Sequence, residues 1–198
     1  MKLVLATQNP KKLKEMNEIL SHLGVEVVSE AELGVRIEVE ETGETFTDNA
    51  RLKATAVMQA TGLPAVADDS GLYVDALNGG PGVYSARFGG EGLDDKGRYT
   101  LLLEMLRGQT DRAAHFHTSI VCAFPNGDEL VCEGECPGTI AFAPMGEGGF
   151  GYDPVFFVPE LRKTFGQLTA EEKASVSHRG KALRAFAAAL DDYLKGNE

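Results

Sequence analysis

No stretch of this sequence approaches the roughly 18 consecutive apolar residues that a membrane-crossing helix needs, so none is predicted. Met1 is followed directly by Lys2 and an apolar run from Leu3 only to Ala6, which leaves no room for a secretory h-region. Cysteine is scarce. Cys122, Cys132 and Cys136 are an odd set without the paired short loops of a structural zinc site, and reduced core thiols in a cytoplasmic protein are expected. Basic residues are also in short supply: 19 Lys and Arg face 30 Asp and Glu, a formal charge of -11. That sign disfavours general binding to nucleic acid or to an anionic membrane, so neither partner is expected. A polyanionic substrate must instead meet a local basic pocket or arrive with a metal ion. Repeats, low-complexity tracts and flexible linkers are missing too. What remains, 43% hydrophobic and 25% charged over 198 residues, is the make-up of an ordinary globular chain of one domain or two tightly joined lobes.

Leu3, Val4 and Leu5 read as a strand, and Thr7-Gln8-Asn9-Pro10 opens a helix with Asn9 as cap and Pro10 as first helical residue. Leu13, Met16, Leu20 and Leu23 keep helical spacing up to Gly24, after which Val25, Val27 and Val28 predict a second strand. A second helix is expected from Asp48 to Thr61, buried along Phe46, Ala50, Ala54, Val57 and Met58, with Asn49 and Lys53 sharing another face. Ala65-Val66-Ala67 leads into Asp68-Asp69-Ser70-Gly71, with Leu72, Val74 and Leu77 continuing the strand towards the Gly79 to Gly82 loop. Tyr99 to Leu106 reads as a helix. Phe116 to Phe124 and Leu130 to Cys132 form a hairpin around Pro125-Asn126-Gly127-Asp128, assigned to a second, mainly β lobe. His115 and His117 alternate with Phe116 and fall on its solvent or interface side. Thr169 to Glu172 resembles a capping box, and Leu183, Phe186, Ala187, Leu190 and Leu194 mark a closing amphipathic helix.

Chemistry gathers in separate segments. At Thr7-Gln8-Asn9-Pro10-Lys11-Lys12, free backbone N–H groups at a helix start meet small polar side chains and two ammonium groups, which suits phosphate. The Gly-x-x-x-x-Gly-Lys-Ser/Thr pattern is absent, so a Walker-type ATPase is not supported. An acidic set, Glu38, Glu40 and Glu41 before Thr42-Gly43, then Asp68 and Asp69, would repel itself unless a divalent cation intervenes. Mg²⁺ takes one or two carboxylates and completes its shell with water and phosphate oxygens. Asp69 closes an apolar run, and a carboxylate buried there without a partner would cost several kcal/mol. In Gly146 to Pro154, glycines allow close backbone approach while Phe150 and Tyr152 offer flat surfaces to a ring. Finally, Lys173 is followed by Ser177-His178-Arg179, with Ser177 as a helix cap.

Thr7 to Lys12, Glu40-Glu41-Thr42-Gly43, Ala67 to Gly71, Gly82-Val83-Tyr84-Ser85-Ala86-Arg87, Phe150 to Pro154 and Ser177-His178-Arg179-Gly180, in this order, resemble the inosine triphosphate pyrophosphatase family. The resemblance spans nearly the whole chain. It implies an elongated α/β fold, one domain over residues 1–198 with two lobes, a mixed twisted central sheet flanked by helices, and a nucleotide cleft between the lobes. It further implies a homodimer that uses Mg²⁺ to split ITP, dITP or XTP into a monophosphate and pyrophosphate. Carried over by position, Thr7, Gln8, Asn9, Pro10, Lys11, Lys12 and Lys53 would hold phosphates. Asp69 would activate water, Ser70 would fix the substrate, and Glu40 or Glu41 would share the metal with Asp69. Phe150, Gly151, Tyr152, Asp153, Lys173, His178 and Arg179 would enclose base and sugar. The family commonly has a small residue where Gln8 stands, and Glu38 also lies near the metal-binding pair. Two other readings are a Maf-type nucleotide pyrophosphatase, which the Phe150 to Asp153 and Ser177 to Arg179 motifs disfavour, and a non-catalytic nucleotide sensor.

Overall fold

The computed structural model describes residues 1–7 and 10–196. β1 (Lys2–Leu5) leads to α1 (Pro10–Leu20), whose first residue is the proline with a φ already suited to a helical turn. β2 (Glu26–Ser29) follows. α2 (Phe46–Thr61) starts at Phe46 rather than at Asp48, because the Thr45 side chain accepts the Asp48 N–H as cap, and Gly62 closes the helix at a left-handed φ of 67°. β3 (Ala65–Val74) is one continuous strand; Leu77 leaves it in a turn of 3-10 helix, and a second 3-10 segment covers Gly82–Arg87. Next come α3 (Asp95–Met105), β4 (Ala113–Ala123), β5 (Glu129–Ile140), β6 (Phe156–Val158) and β7 (Lys163–Thr164). α4 (Ala170–Val176) carries the expected capping box between Thr169 and Glu172, and α5 (His178–Gly196) is the last element among the described residues.

Among the described residues, seven strands form one mixed sheet in the order β2-β1-β3-β4-β5-β6-β7. β1 runs parallel to β2 and β3, while β6 is antiparallel to β5 and β7. The α/β class read from the sequence is the class observed.

The chain divides into two compact units: Met1–Asp69, Thr118–Gly134 and Ala182–Glu198 make the first, Ser70–His117 and Glu135–Lys181 the second. In the first, Leu3 and Leu5 of β1 pack with Met16 and Leu20 of α1 and with Phe186 and Leu190 of α5. Val4, between them, points to the opposite face, where Val57 of α2 and Ala65 of β3 meet it. Burial on both faces is what a parallel strand requires, and it explains the unbroken apolar run. In the second unit, Leu72, Val74, Phe116, Phe156 and Phe165 pack with Leu102 and Leu106.

The hairpin does not belong to a separate β lobe. β4 and β5 have 11 and 12 residues, roughly 36 to 40 Å at about 3.3 Å per residue, long enough to supply both units. Ile120, Cys122, Phe124 and Cys132, near the turn, join the first core, whereas Ala114, Phe116, Cys136 and Ile140 join the second. The three cysteines are buried free thiols, as expected, and burial pushes Cys136 up to about 11. His115 and His117 sit half-exposed beside Tyr73, their rings 4.9 Å and 6.4 Å from it. Among the described residues no helix is long and apolar enough to cross a membrane.

Phe186 is 0% exposed in the first core. Phe186→Ala is expected to lower unfolding free energy by about 3 to 5 kcal/mol in urea denaturation followed by circular dichroism.

Candidate active site

In the first unit, β3 places two aspartates at the end of its buried run. Asp68 is 5% exposed and accepts Lys12 Nζ from α1 at 2.6 Å, so its burial is compensated. Strand alternation turns Asp69 the other way. There Lys53 Nζ lies 3.3 Å from Asp69 Oδ1, 3.0 Å from Glu41 Oε1 and 2.9 Å from the Asp68 carbonyl oxygen, to which it donates. The Asp69 carbonyl also accepts Thr118 Oγ1 at 3.1 Å, which ties this point of β3 to β4. One turn before Lys53 on α2, Asn49 is 0% exposed and accepts the Gly43 N–H at 2.8 Å. The same side chain favours the charged form of Asp69, and its buried Nδ2 has no hydrogen-bond partner among the described residues. A Cβ on Gly43 would stand 2.6 Å from Asn49 Oδ1, so the loop can approach α2 this closely only through glycine.

Burial pushes the Asp69 carboxyl above its ordinary range; Lys53 opposes this, and the Glu41 charge adds to the rise. For Lys53, burial works against the ammonium, yet Asp69 and Glu41 outweigh it and hold the pKa above the usual lysine value. Two hard carboxylates that converge on one ammonium leave a net negative charge, which fits a divalent cation. Among the described residues no group of three or more His, Cys, Asp or Glu side chains makes a complete cage. A two-carboxylate donor set is the kind Mg²⁺ uses when water and phosphate oxygens fill its other positions.

Of the glutamates, Glu41 is brought to Lys53, Glu40 is exposed, and Glu38 is exposed with an ion pair to Arg36 at 3.3 Å. Thr7 is half-buried just after β1. Gln8 and Asn9, and the side chains of Pro10 and Lys11, lie outside the described residues.

In the second unit, Asp153 is 3% exposed, accepts the Phe150 N–H at 2.8 Å and pairs with Lys173 of α4. Gly149 has φ 79°, and any Cβ there would collide with the Asp153 carboxylate. Lys173 Nζ stands 4.7 Å over the Phe150 ring, which is 72% exposed. Tyr152 turns inward instead: it is 5% exposed, and its hydroxyl donates to the Ser85 carbonyl at 2.8 Å, so its ring is a core element and not a free stacking surface. Ser85 in turn accepts the Leu72 N–H at 2.9 Å and fixes the Gly82–Arg87 segment against β3. Gly151 N–H donates to Asp95 at 2.7 Å, and Ser70 is exposed. Ser177 caps α5 by accepting the Gly180 N–H at 3.1 Å; His178 then lies flat on Phe116, ring centroids 4.7 Å apart at 12°, with Arg179 next on the helix. The structure thus joins Lys12, Lys53, Glu41 and Asp69 in one unit and Phe150, Asp153 and Lys173 in the other. Asp68, which sequence places in the acidic set, pairs instead with Lys12; Asn49 and Thr118 are site neighbours that sequence does not mark, and the helical face Asn49 shares with Lys53 is the signal available for the first.

The Ham1 family model matches residues 3–189. The chain is 50% identical to a dITP/XTP pyrophosphatase of Exiguobacterium sp., covering 99% of this chain and 100% of that protein. It is 54% identical to a dITP/XTP pyrophosphatase of Desulforamulus reducens, over 93% of this chain and 92% of that one. The solved structure of the Staphylococcus aureus Ham1 protein is similar at a TM-score of 0.92 with 41% identity, covering 100% of both chains.

Burial pushes Asp153 above its ordinary pKa despite Lys173 and the Phe150 N–H, with Asp95 adding to the rise. A carboxyl raised in the folded state binds its proton more tightly there, so its contribution to stability falls as pH rises from the unfolded value of about 4 through the folded one. Asp153→Asn removes that falling contribution. Urea denaturation across this interval should give a wild-type minus variant difference that declines with rising pH; a flat difference refutes the shift.

Proposed function

Since this chain belongs to the Ham1 family, we propose that it hydrolyses the non-standard purine nucleoside triphosphates dITP, XTP and ITP to the monophosphate and pyrophosphate. The observation that carries the reading is the convergence of Glu41 and Asp69 on Lys53, a carboxylate pair beside a buried ammonium, within a chain half identical to dITP/XTP pyrophosphatases.

Asp69 is the base. Its carboxylate takes a proton from the water that attacks the α phosphorus; a bond forms from that oxygen to phosphorus, the bond to the bridging oxygen of the β phosphate breaks, and pyrophosphate leaves. Glu41 and Asp69 would hold Mg²⁺, which when bound lowers the pKa of coordinated water and offsets triphosphate charge. Lys53 keeps the two carboxylates together, and Thr7, Gln8, Asn9, Lys11 and Lys12 supply donors and positive charge for the phosphates around Pro10, where α1 begins. Glu40, exposed beside Glu41, is not given a metal-binding part in this reading.

The second-unit set reads the base and sugar. Phe150 offers an exposed ring for stacking, with Lys173 held over it by Asp153. Gly151 and Ser70 contribute backbone and hydroxyl contacts, while Tyr152 positions the loop from within. His178 and Arg179 aim donors at the 6-oxo group of hypoxanthine or xanthine. An adenine amine there would leave buried donors unmatched, at about 1 to 3 kcal/mol per group. Three buried free thiols suit a reducing compartment, and the reading extends to a homodimer acting in the cytoplasm.

Asp69→Asn is expected to lower kcat for ITP by about 10²- to 10⁴-fold while the protein stays folded, measured as pyrophosphate release with Mg²⁺ present; retention of wild-type turnover rejects Asp69 as base. Arg179→Ala should lower the ITP-to-ATP ratio of kcat/KM by about tenfold. An unchanged ratio assigns the reading of the 6-oxo group elsewhere.

A further inference from the structure

Glu30 is a buried carboxylate that the chemistry above does not use. It is 7% exposed and organises the turn after β2: its carbonyl oxygen accepts the Leu33 and Val35 N–H groups, each at 3.1 Å. Its side chain reaches further along the chain, where Oε2 accepts the Ile37 N–H at 3.0 Å. Ile37 and Leu33 pack against Val28 and Val57, so this end of the segment is fixed. From Ile37 to Gly43 the chain has neither helix nor strand. Its side chains still alternate, with Glu38 and Glu40 exposed and Val39 and Glu41 partly buried. The far end is fixed by the Gly43 N–H on Asn49.

The stretch that delivers Glu41 is therefore held at both ends by buried side-chain acceptors, with no sheet ladder to fix its register. A cavity of ≈ 280 Å³ is lined by Thr7, Glu30, Ile37, Glu38, Val39 and Lys53, among others. That space lets the segment relax inward once either hold is lost.

The geometry points to Glu30 as a positioning residue: its carboxylate latches the Ile37 N–H and thereby sets how Glu41 is presented, beside Asp69, to a divalent cation. This rests on the reading of Glu41 and Asp69 as the cation-holding pair. The latch needs an acceptor of this length, not a charge. Gln at this position keeps the acceptor and the reach; Ala removes both and leaves the part-buried Ile37 N–H without its acceptor.

The test is Mn²⁺ binding to the nucleotide-free protein, followed by water-proton relaxation, with pyrophosphate release measured in parallel across Mg²⁺ concentrations. Glu30→Ala should weaken Mn²⁺ binding about tenfold, and raise the Mg²⁺ needed for half-maximal turnover by a similar factor while kcat at saturating Mg²⁺ stays within about twofold. Glu30→Gln should restore both to near wild type. A folded Glu30→Ala with wild-type Mn²⁺ affinity overturns the latch, as does a Glu30→Gln loss equal to that of Ala. If Glu30→Ala fails to fold, Glu30→Asp, which keeps the charge but shortens the reach, must show the weakened binding; wild-type affinity in that variant overturns the latch equally. Asp69→Asn serves as control for the underlying reading: unchanged Mn²⁺ affinity in that variant rejects the carboxylate pair as the cation site, however Glu30 behaves.

Discussion

The Lys53 ammonium is the interaction on which the first unit's chemistry depends. It is mostly withdrawn from water and draws in the Glu41 carboxylate, the Asp69 carboxylate and the Asp68 carbonyl oxygen together. Lys53 and Asp69 would each be disfavoured alone at that depth, since an unpaired buried charge is among the costliest features a fold can carry. Together they are tolerable, and the residue burden is visible in the upward shift that burial and Glu41 impose on Asp69. A site left slightly short of positive charge is primed to take up a cation. It also explains how a chain of formal charge -11 can receive a triphosphate: the positive groups are few, but Lys12 and Lys53 are both drawn to β3 by its paired aspartates.

The second unit repeats the device with a different purpose. Asp153 and Lys173 pair under a loop of high glycine content, and the loop's exposed ring, Phe150, rests against the same ammonium. Gly149 is needed because a side chain would fall on the carboxylate itself. Tyr152 then fastens the loop to Ser85, and Ser85 fastens the Gly82–Arg87 segment to β3. Motifs far apart in the sequence thus turn out to be one connected scaffold, which is a physical reason for their joint occurrence.

Much of this was legible before the structure. The proline start of α1, the helical spacing of Met16 and Leu20, the capping box at Thr169 and Glu172 and the burial of the cysteines follow from local rules that tertiary structure did not override. The six motifs identified the family, which the Ham1 match over residues 3–189 bears out. Other features were hidden for definite reasons. Sequence alone points the hairpin to a separate β lobe because strand periodicity says which face a residue takes but not which core lies opposite, and residues of β4 and β5 join both cores. Sequence does not separate Glu40 from Glu41 because nothing in it says which phase of the alternation faces α2; the choice is made by contact with Lys53. Phe150 and Tyr152 looked equivalent, yet glycines with positive φ at 149 and 151 let the backbone send one ring outward and the other into the core.

The segment from Ile37 to Gly43 illustrates how a loop can be exact without being regular. A strand in a sheet would fix its position by repeated backbone bonds, but would also put Glu38, Glu40 and Glu41 in a ladder where like charges crowd their neighbours. Side-chain latches at the ends, from Glu30 and Asn49, order the backbone at fewer points and leave the acidic side chains free to face water or Lys53 as their chemistry demands. The entropy lost in ordering such a segment is offset locally, by the part-buried hydrogen bonds at its two ends, the packing of Ile37 and the Lys53–Glu41 pair. The backbone latches and the carboxylates are thus separate residues of the same short stretch, so the acidic side chains can be placed for a cation while the latches hold the backbone.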